Sequence, residues 1–339
     1  MAMTRLKELD VLRGFAALNV VLFHFTSRFR EIYGHEYPAK YDWIYGHYGV
    51  ELFFVISGFV IYMSLQNVST VKEFAFKRFT RLYPTYWICL LITLCVISLW
   101  KQPGKEGLTV YEIVMNLTMI QGIFDVRNVD GAYWSLLPEL LFYTTMACVY
   151  YLGLLPKVKA LAITWLLLML LNRQGLLPFG AYFLNFKYGM FFLAGILFYN
   201  LKFNNGRFID HLLIAGCLGT GIWVHQSAGC VYAFTCIFLL FYLFVYDKLK
   251  VLSIRPLRFL GYVSYPLYLL HQNIGFILMN TLKQYVENEF VVILLSVLLL
   301  IGLAWLVTKY LEKPILYFLR NLHYPKSQYS DKVVEPLIQ

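Results

Sequence analysis

Apolar runs long enough to cross a lipid bilayer recur along the whole chain, separated by short polar stretches. A membrane-spanning helix needs about 20 mostly apolar residues, and hydropathy predicts ten such spans here. Their approximate limits are 9–27, 48–66, 82–100, 135–153, 159–172, 185–201, 209–226, 230–246, 259–282 and 291–311. The run 108–124 is also apolar, but it contains Glu112, Asn116 and Gln121. We therefore interpret that run as an interfacial or re-entrant helix.

The composition agrees with this pattern. Hydrophobic residues make up 60% of the 339 positions and charged residues only 14%, which is more apolar than a water-soluble core of this length requires. We predict an all-α polytopic membrane protein with a membrane domain over 1–324 and a short cytoplasmic tail over 325–339. The first run is interrupted by Arg13 and followed by many further spans, so we expect it to be retained rather than cleaved as a signal peptide.

The basic residues predict the orientation of the spans. With ten spans, both termini and alternate loops share one side, and 20 of the 29 Lys and Arg residues fall on that side. Basic residues concentrate in cytoplasmic loops, so both termini are predicted to be cytoplasmic. The net charge of +10 then belongs mainly to a surface suited to anionic membrane lipids. The sequence carries no nucleic-acid-binding motif, and we expect no nucleic-acid partner.

The six cysteines do not predict a metal or disulfide framework. All of them fall inside predicted spans without a nearby pattern of histidines, so they are interpreted as small apolar packing residues. We expect no metal and no permanently bound cofactor.

Two ionisable residues lie inside the first span, in LDVLRGFAALNVVLFHF. Arg13 and His24 are eleven residues apart, which places them within roughly 20° on one helix face and about 16 Å apart along the axis. Such groups in a membrane are costly and indicate a partner, a water-filled cavity or a chemical task. Asp10 lies three residues before Arg13 and is positioned to pair with it, so a purely structural ion pair is the alternative for Arg13.

A second basic pair lies at the predicted cytoplasmic entry to the third span. Arg78 and Arg81, in FKRFTRLYPTYW, share a helix face because they are three residues apart. Two guanidinium groups at this spacing suit a phosphate or pyrophosphate. The alternative is that both residues only anchor the span at the membrane boundary.

Three further segments carry polar residues in or near spans. GVELFFVISGF contains Glu51 and Ser57, WSLLPELLFY contains Trp134, Glu139 and Tyr143, and SYPLYLLH ends in His271. Either carboxylate has a functional interpretation and an alternative as a solvated group at a span end; Glu139 is positioned to orient a histidine or bind substrate hydroxyls. A lone histidine such as His271 is more often a packed, hydrogen-bonded residue than a catalyst.

Taken in order, these segments resemble the acyltransferase-3 family of integral membrane O-acyltransferases. The resemblance rests on the Arg-x10-His spacing of Arg13 and His24, on GVELFFVISGF, on the Arg-x-x-Arg of Arg78 and Arg81, and on WSLLPELLFY and SYPLYLLH. It covers residues 9 to 271 and resembles the stand-alone form of the family, without an appended hydrolase-like domain.

The resemblance implies transfer of an acyl group, most often acetyl, from cytoplasmic acyl-CoA to a carbohydrate hydroxyl. The acceptor would be a cell-envelope glycan or its lipid-linked precursor, and the location the bacterial cytoplasmic (inner) membrane. The expected catalytic residues are His24 and Glu139, and the expected acyl-CoA-binding residues are Arg13, Arg78 and Arg81. The expected supporting or substrate-binding residues are Asp10, Glu51, Ser57, Trp134, Tyr143 and His271.

His24 is expected to act as a general base on the acceptor hydroxyl. Direct attack in a ternary complex and acyl transfer through His24 both remain open. The main alternative from another functional class is a transporter or flippase that carries an acyl donor or a lipid-linked glycan unchanged, because polar groups inside a bundle also serve a transport pathway.

Overall fold

The computed structural model describes residues 6–100, 107–172, 185–204 and 206–323. Within these ranges the secondary structure is helical and contains no strand, which confirms the predicted all-α class. The predicted cytoplasmic tail, 325–339, lies outside the described residues.

Thirteen α-helices are described. We number them in chain order: α1 Lys7–Phe23, α2 Phe29–Tyr33, α3 Gly49–Leu65, α4 Val71–Leu99, α5 Val110–Asn116, α6 Leu136–Tyr151, α7 Val158–Asn172, α8 Gly189–Phe203, α9 Phe208–His225, α10 Ala228–Val245, α11 Arg255–Leu282, α12 Glu289–Val307 and α13 Lys313–His323.

Each predicted span overlaps one of these helices. Seven helical segments in the described ranges are long and apolar enough to cross a membrane: Lys7–Tyr33, Ala39–Leu65, Val71–Leu99, Leu155–Asn172, Phe208–His225, Ala228–Val245 and Glu289–Leu322. The helices α6, α8 and α11 overlap the other three predicted spans. An integral membrane protein with several spans follows, while the count of ten and the orientation of the termini stay predictions.

The run 108–124 contains the seven-residue helix α5 and a 3-10 turn over Gln121–Phe124, and both are too short to cross a bilayer. A capping box begins this helix: the Thr109 hydroxyl accepts a hydrogen bond from the Glu112 N–H, and the Glu112 carboxylate accepts one from the Thr109 N–H. The second of these bonds holds the pKa of Glu112 below its usual value. The segment is therefore a defined connection rather than an additional span.

Close helix contacts bring the site-bearing helices together. Helix α1 packs mainly against α11 and also against α3, which in turn packs against α8. At the first crossing a Cβ on Gly261 would lie 2.0 Å from the Asp10 carbonyl oxygen, and at the second a Cβ on Gly58 would lie 2.0 Å from the Phe192 carbonyl oxygen. Only glycine permits such backbone approach, as at many membrane helix interfaces.

Gly261→Val is expected to separate α1 from α11 and to lower the stability of the folded protein. The added side chain meets backbone that cannot move aside, and overpacking of this kind costs about 1–3 kcal/mol or more. Gly302→Val in α12 is the matched control, because a Cβ there meets no atom within 4 Å. Thermal melting in detergent would show the difference, and equal melting temperatures for the two variants would contradict the predicted crossing.

Two π-helical turns interrupt the α-helical hydrogen bonding, and each of them contains polar residues. One covers His24–Arg28, directly after α1, and the other covers Thr308–Glu312, between α12 and α13. Such turns insert an extra residue into an α-helix and are frequent at functional sites. Each one here includes a residue whose side chain takes part in the site: His24 and Glu312.

Candidate active site

An open cavity lies among α1, α3, α4, α6 and α11, with about 800 Å³ of space in the cavity and its mouth. It brings together six of the residues predicted from the sequence: Arg13, Ser57, Arg78, Arg81, Glu139 and Tyr143. One wall is apolar and comes mainly from α3: Val50, Phe53, Phe54, Ile56, Val60 and Ile61. The cavity therefore combines a strongly cationic surface with an apolar one.

Arg13 faces this cavity and is accompanied by the carboxylate expected from the sequence. Its Nη1 lies 3.6 Å from Asp10 Oδ1, one helical turn earlier. The Arg13 side chain keeps 27% of its surface exposed, so the ion pair leaves part of the guanidinium available to a bound molecule. The structural and the ligand-binding interpretations of Arg13 are thus compatible.

The structure gives Arg78 and Arg81 different environments, although the sequence treats them as a pair. Arg81 Nη1 donates to Glu312 Oε1 at 2.8 Å, and Glu312 is almost fully buried. Arg78 instead donates to the Ser64 hydroxyl at 2.9 Å and lies near the Tyr143 ring. Among the described residues no carboxylate lies within ion-pair distance of Arg78, so its charge is the less compensated of the two.

Glu139 is held at the cavity wall by two hydroxyl donors. Ser57 from α3 donates to Glu139 Oε1 at 2.9 Å, and Tyr143, one turn along α6, donates to the same oxygen. These bonds fix the carboxylate beside the arginines. The described hydrogen bonds do not connect Glu139 to a histidine, so its expected role in orienting one receives no support, and its catalytic role stays a prediction.

The remaining five predicted residues, Asp10, His24, Glu51, Trp134 and His271, do not line the cavity. Two of them form a pair that the sequence did not predict. His271 Nε2 lies 3.2 Å from His24 Nδ1, and the ring centroids are 4.7 Å apart. His271 is fully buried, whereas His24, on the π-helical turn, is partly exposed.

The hydrogen bonds of this pair determine which nitrogen carries the proton. A carbonyl oxygen can only accept, so His271 Nδ1 donates to the Tyr268 oxygen at 2.6 Å and His24 Nδ1 donates to the Val20 oxygen at 2.9 Å. In the neutral rings both Nε2 atoms are then acceptors, and His271 Nε2 can share the His24 Nδ1 proton. In the described part of the chain no hydrogen bond uses His24 Nε2, which leaves its lone pair free.

Tyr268 connects the histidine pair with the cavity. Its ring lines the cavity, its carbonyl oxygen holds His271, and its hydroxyl pairs with Ser135 at 2.7 Å. His24, the imidazole with a free lone pair, is therefore linked to the cationic cavity through His271 and Tyr268. General bases are recognised by this combination of a fixed tautomer and an open acceptor nitrogen.

Comparison with protein families distinguishes between the two functional classes considered above, an acyltransferase and a transporter or flippase. A family model described as an acyltransferase domain, that of acyltransferase-3, matches residues 6–309. The chain belongs to the acyltransferase-3 family. Residues 6–309 therefore match the acyltransferase domain of that family, and the predicted resemblance is confirmed.

Curated proteins with related sequences include two that are named as an acyltransferase or an acetyltransferase. Acyltransferase MdmB of Streptomyces mycarofaciens is 27% identical over 169 residues, covering 48% of this chain and 43% of that protein. ORF330 of Acidianus two-tailed virus, named as an acetyltransferase, is 23% identical over 77% of this chain and 80% of its own length. Nodulation protein 10 of Rhizobium leguminosarum bv. viciae is 26% identical over 40% of this chain and 42% of its own. The matched region thus spans less than half of two of these relatives, and no solved structure matches the chain.

Several residues at this acyltransferase-3 site were not expected from the sequence. Glu312 lies beyond the motifs that carry the resemblance, and nothing in TKYLEKP indicates that its carboxylate returns to Arg81. His225 was not selected either, although a histidine at the end of an apolar span is a detectable signal. Its imidazole lies beside Glu51, with 4.0 Å between His225 Nε2 and Glu51 Oε1.

The described residues contain no group of three or more His, Cys, Asp or Glu side chains that could hold a metal. Three of the cysteines, Cys89, Cys217 and Cys230, are buried, and all six are free thiols. The cavity offers three guanidinium groups rather than metal ligands, so an anionic co-substrate fits its chemistry better than a resident metal.

Proposed function

We propose that this acyltransferase transfers an acetyl group from cytoplasmic acetyl-CoA to a carbohydrate hydroxyl. The acceptor would be a cell-envelope glycan or a lipid-linked precursor, and the location the bacterial inner membrane with both termini in the cytoplasm. The observation that carries the proposal is a cavity with three arginines, linked through Tyr268 and His271 to His24, an imidazole whose Nε2 is free.

The cavity chemistry suits the two parts of such a donor. CoA carries phosphates, which guanidinium groups bind through paired, charge-assisted hydrogen bonds. Its acyl thioester is carried on a flexible and mainly uncharged arm, for which the apolar α3 wall provides a surface. The names of acyltransferase MdmB and of the viral acetyltransferase support an acyl donor of this kind.

In a ternary complex, His24 Nε2 would take the proton of the acceptor hydroxyl as that oxygen bonds to the thioester carbon. The C–S bond then breaks and the CoA thiolate leaves. The His24 imidazolium returns the proton to that thiolate. The products are an acetyl ester and CoA with a free thiol. Arg13 lies about three helical turns from His24 and lines the cavity, where it would bind the CoA phosphates.

The same residues also permit a route through an acetyl-His24 intermediate. In that case His24 Nε2 attacks the thioester first, CoA leaves, and the sugar hydroxyl takes the acetyl group in a second step. Release of CoA thiol before the acceptor is added would favour this route, and release that requires the acceptor would favour the ternary complex.

Purified protein in lipid nanodiscs, supplied with labelled acetyl-CoA and a panel of alkyl glycosides, tests the proposal. We expect label on the glycoside together with one equivalent of free CoA thiol. Protein that was heat-denatured before the assay is the control for chemical transfer. Transfer from acetyl-CoA to no glycoside, or to water alone at the same rate with and without glycoside, would contradict a carbohydrate acceptor.

A further inference from the structure

Glu51 and His225 form a second polar pair, beside the cavity but separate from the arginines. Glu51 lies in the first turn of α3 and His225 is the last residue of α9. Glu51 is only 5% exposed, and its Oε1 lies 4.0 Å from His225 Nε2. In the described part of the chain neither Glu51 Oε2 nor His225 Nε2 has a hydrogen-bond partner.

Both of these unpartnered atoms are hydrogen-bond acceptors when Glu51 is ionised. His225 Nδ1 faces the Gly221 carbonyl oxygen at 3.1 Å and must donate to it, so Nε2 of the neutral ring carries a lone pair. The second atom belongs to a carboxylate, which when ionised only accepts. Buried acceptors without a donor are costly, at about 1–3 kcal/mol each, and this pair therefore calls for a ligand that brings donors.

The chemistry of the pair restricts that ligand. Phosphates and carboxylates are excluded because they also present acceptors. A molecule with two neighbouring hydroxyl groups fits, since one O–H can donate to Glu51 Oε2 and the next to His225 Nε2. Sugars present hydroxyl pairs of this kind on adjacent ring carbons.

Aromatic rings lie beside His225. The Tyr188 ring centroid lies 6.0 Å from that of His225 and 5.3 Å from that of Trp134. Trp134 is 39% exposed, and the exposed Lys187 side chain lies over the Tyr188 ring. Aromatic faces pack against the apolar C–H surface of a ligand that also has polar groups.

This second pair is close to the acyltransferase cavity. Phe54 lines the cavity and also contacts Tyr188, with ring centroids 5.2 Å apart. Ser135, the residue after Trp134, lines the cavity and bonds to Tyr268. A ligand bound at Glu51 and His225 would therefore lie close to the cavity wall that contains Phe54 and Ser135. Ser135 contacts Tyr268, which in turn holds His271.

We propose that Glu51 and His225, with Trp134 and Tyr188, form a subsite that binds a vicinal diol of the acceptor. The subsite holds two hydroxyls that are not acetylated and so selects a polyhydroxylated acceptor over a simple alcohol. This inference rests on the proposed function, because it names the acceptor contacts of the same reaction.

Two acceptors with the same alkyl chain test the subsite: octyl β-D-glucopyranoside, which has a vicinal diol, and 1-octanol, which has one hydroxyl. Glu51→Gln gives the pair its own donor, because an amide N–H can satisfy His225 Nε2. His225→Phe removes one acceptor. For each variant we expect the KM for octyl glucoside to rise roughly three- to tenfold, as for one or two lost hydrogen bonds, with the KM for 1-octanol and for acetyl-CoA unchanged.

Glu287→Gln is the matched control, since it neutralises an exposed carboxylate in the connection between α11 and α12 and should leave all three KM values unchanged. Equal KM values for octyl glucoside in wild type and both variants would overturn the subsite. A parallel rise in the KM for 1-octanol or acetyl-CoA would also overturn it, because the pair would then act on the whole site.

A binding measurement separates this inference from the proposed function. Dicyclohexylcarbodiimide adds to a buried carboxyl group when that group takes up a proton, and peptide mass spectrometry would follow its adduct on Glu51. A diol bound to the ionised carboxylate opposes this step. We expect octyl glucoside to slow this labelling more than 1-octanol does. Slowed labelling without any acetylation would support the subsite and contradict the proposed function. Equal labelling with both compounds would overturn the subsite even if the glucoside is acetylated.

Discussion

His24→Ala is expected to abolish acetyl transfer while leaving the protein folded in the membrane. The variant loses His24 Nε2, which the described hydrogen bonds fix as an open acceptor. General-base catalysis contributes typically 10²–10⁴-fold, so we expect kcat to fall by about that factor. Labelled acetyl-CoA and the best glycoside acceptor would measure the loss.

The matched control is His211→Ala, which removes a half-buried histidine whose described partner is Tyr242, in α10. It should retain the wild-type rate. A His24→Ala protein that elutes as folded in size-exclusion chromatography and still transfers acetyl at the wild-type rate would remove His24 from the mechanism.

His271 is expected to act on the reaction through His24, as a positioning residue. Its Nε2 accepts from His24 Nδ1 and so supports the tautomer with a free His24 Nε2. His271→Gln keeps an acceptor oxygen at this place, whereas His271→Leu does not. We therefore expect His271→Leu to lower kcat with an unchanged KM for acetyl-CoA, and His271→Gln to recover part of the rate. Equal losses in both variants would indicate a packing role only.

The sequence predicts which residues share a helix face but not which helices become neighbours. The Arg13–His24 spacing and the Asp10–Arg13 pair follow from helix geometry alone, and the structure contains that ion pair. The contact between His24 and His271 joins residues 247 positions apart. Periodicity carries no information about such a contact, because it depends on the approach of α1 and α11 at their glycines.

The π-helical turn at His24 is a further feature that the sequence did not predict. A regular α-helix was expected through residue 27, with His24 directly on the Arg13 face. The inserted residue changes the direction of side chains after His24, whereas the His24 N–H still donates to the Val20 carbonyl oxygen in the register of α1. Arg13 lines the cavity, and His24 lies about three turns further along, next to His271.

Arg78 and Arg81, the two arginines of the Arg-x-x-Arg motif, also show that periodicity predicts a shared helix face but not contacts with distant parts of the chain. Their spacing predicts a shared face, and both do line the cavity. The spacing could not predict that Glu312, 231 residues away, pairs with Arg81 alone. The shared face is a local property of α4, whereas the charge balance depends on the turn that follows α12.

This difference predicts that Arg78 binds the donor more strongly than Arg81 does. Arg78→Ala is expected to raise the KM for acetyl-CoA by roughly 10- to 100-fold, as for the loss of a charge-assisted hydrogen bond of about 1.5–3 kcal/mol. Arg78→Lys should recover only part of this loss, because it keeps the charge but not the fork of the guanidinium. Steady-state kinetics at varied acetyl-CoA would measure both variants.

Arg81→Ala is expected to have a smaller effect on the KM for acetyl-CoA and a larger one on stability, since it leaves the buried Glu312 without its cation. Lys77→Ala on the same helix is the control, because Lys77 pairs with Glu73 and does not line the cavity.

Acetyl-pantetheine, which lacks the nucleotide phosphates of CoA, tests the origin of the Arg78 effect. The wild-type protein should prefer acetyl-CoA, and Arg78→Ala should lose most of this preference because the KM for acetyl-pantetheine does not change. If both arginine variants raised the KM for acetyl-CoA equally, the two residues would bind the donor as a pair, and Glu312 would not set their difference. If Arg78→Ala raised the KM for acetyl-pantetheine as much as for acetyl-CoA, Arg78 would act on the thioester arm rather than on the phosphates.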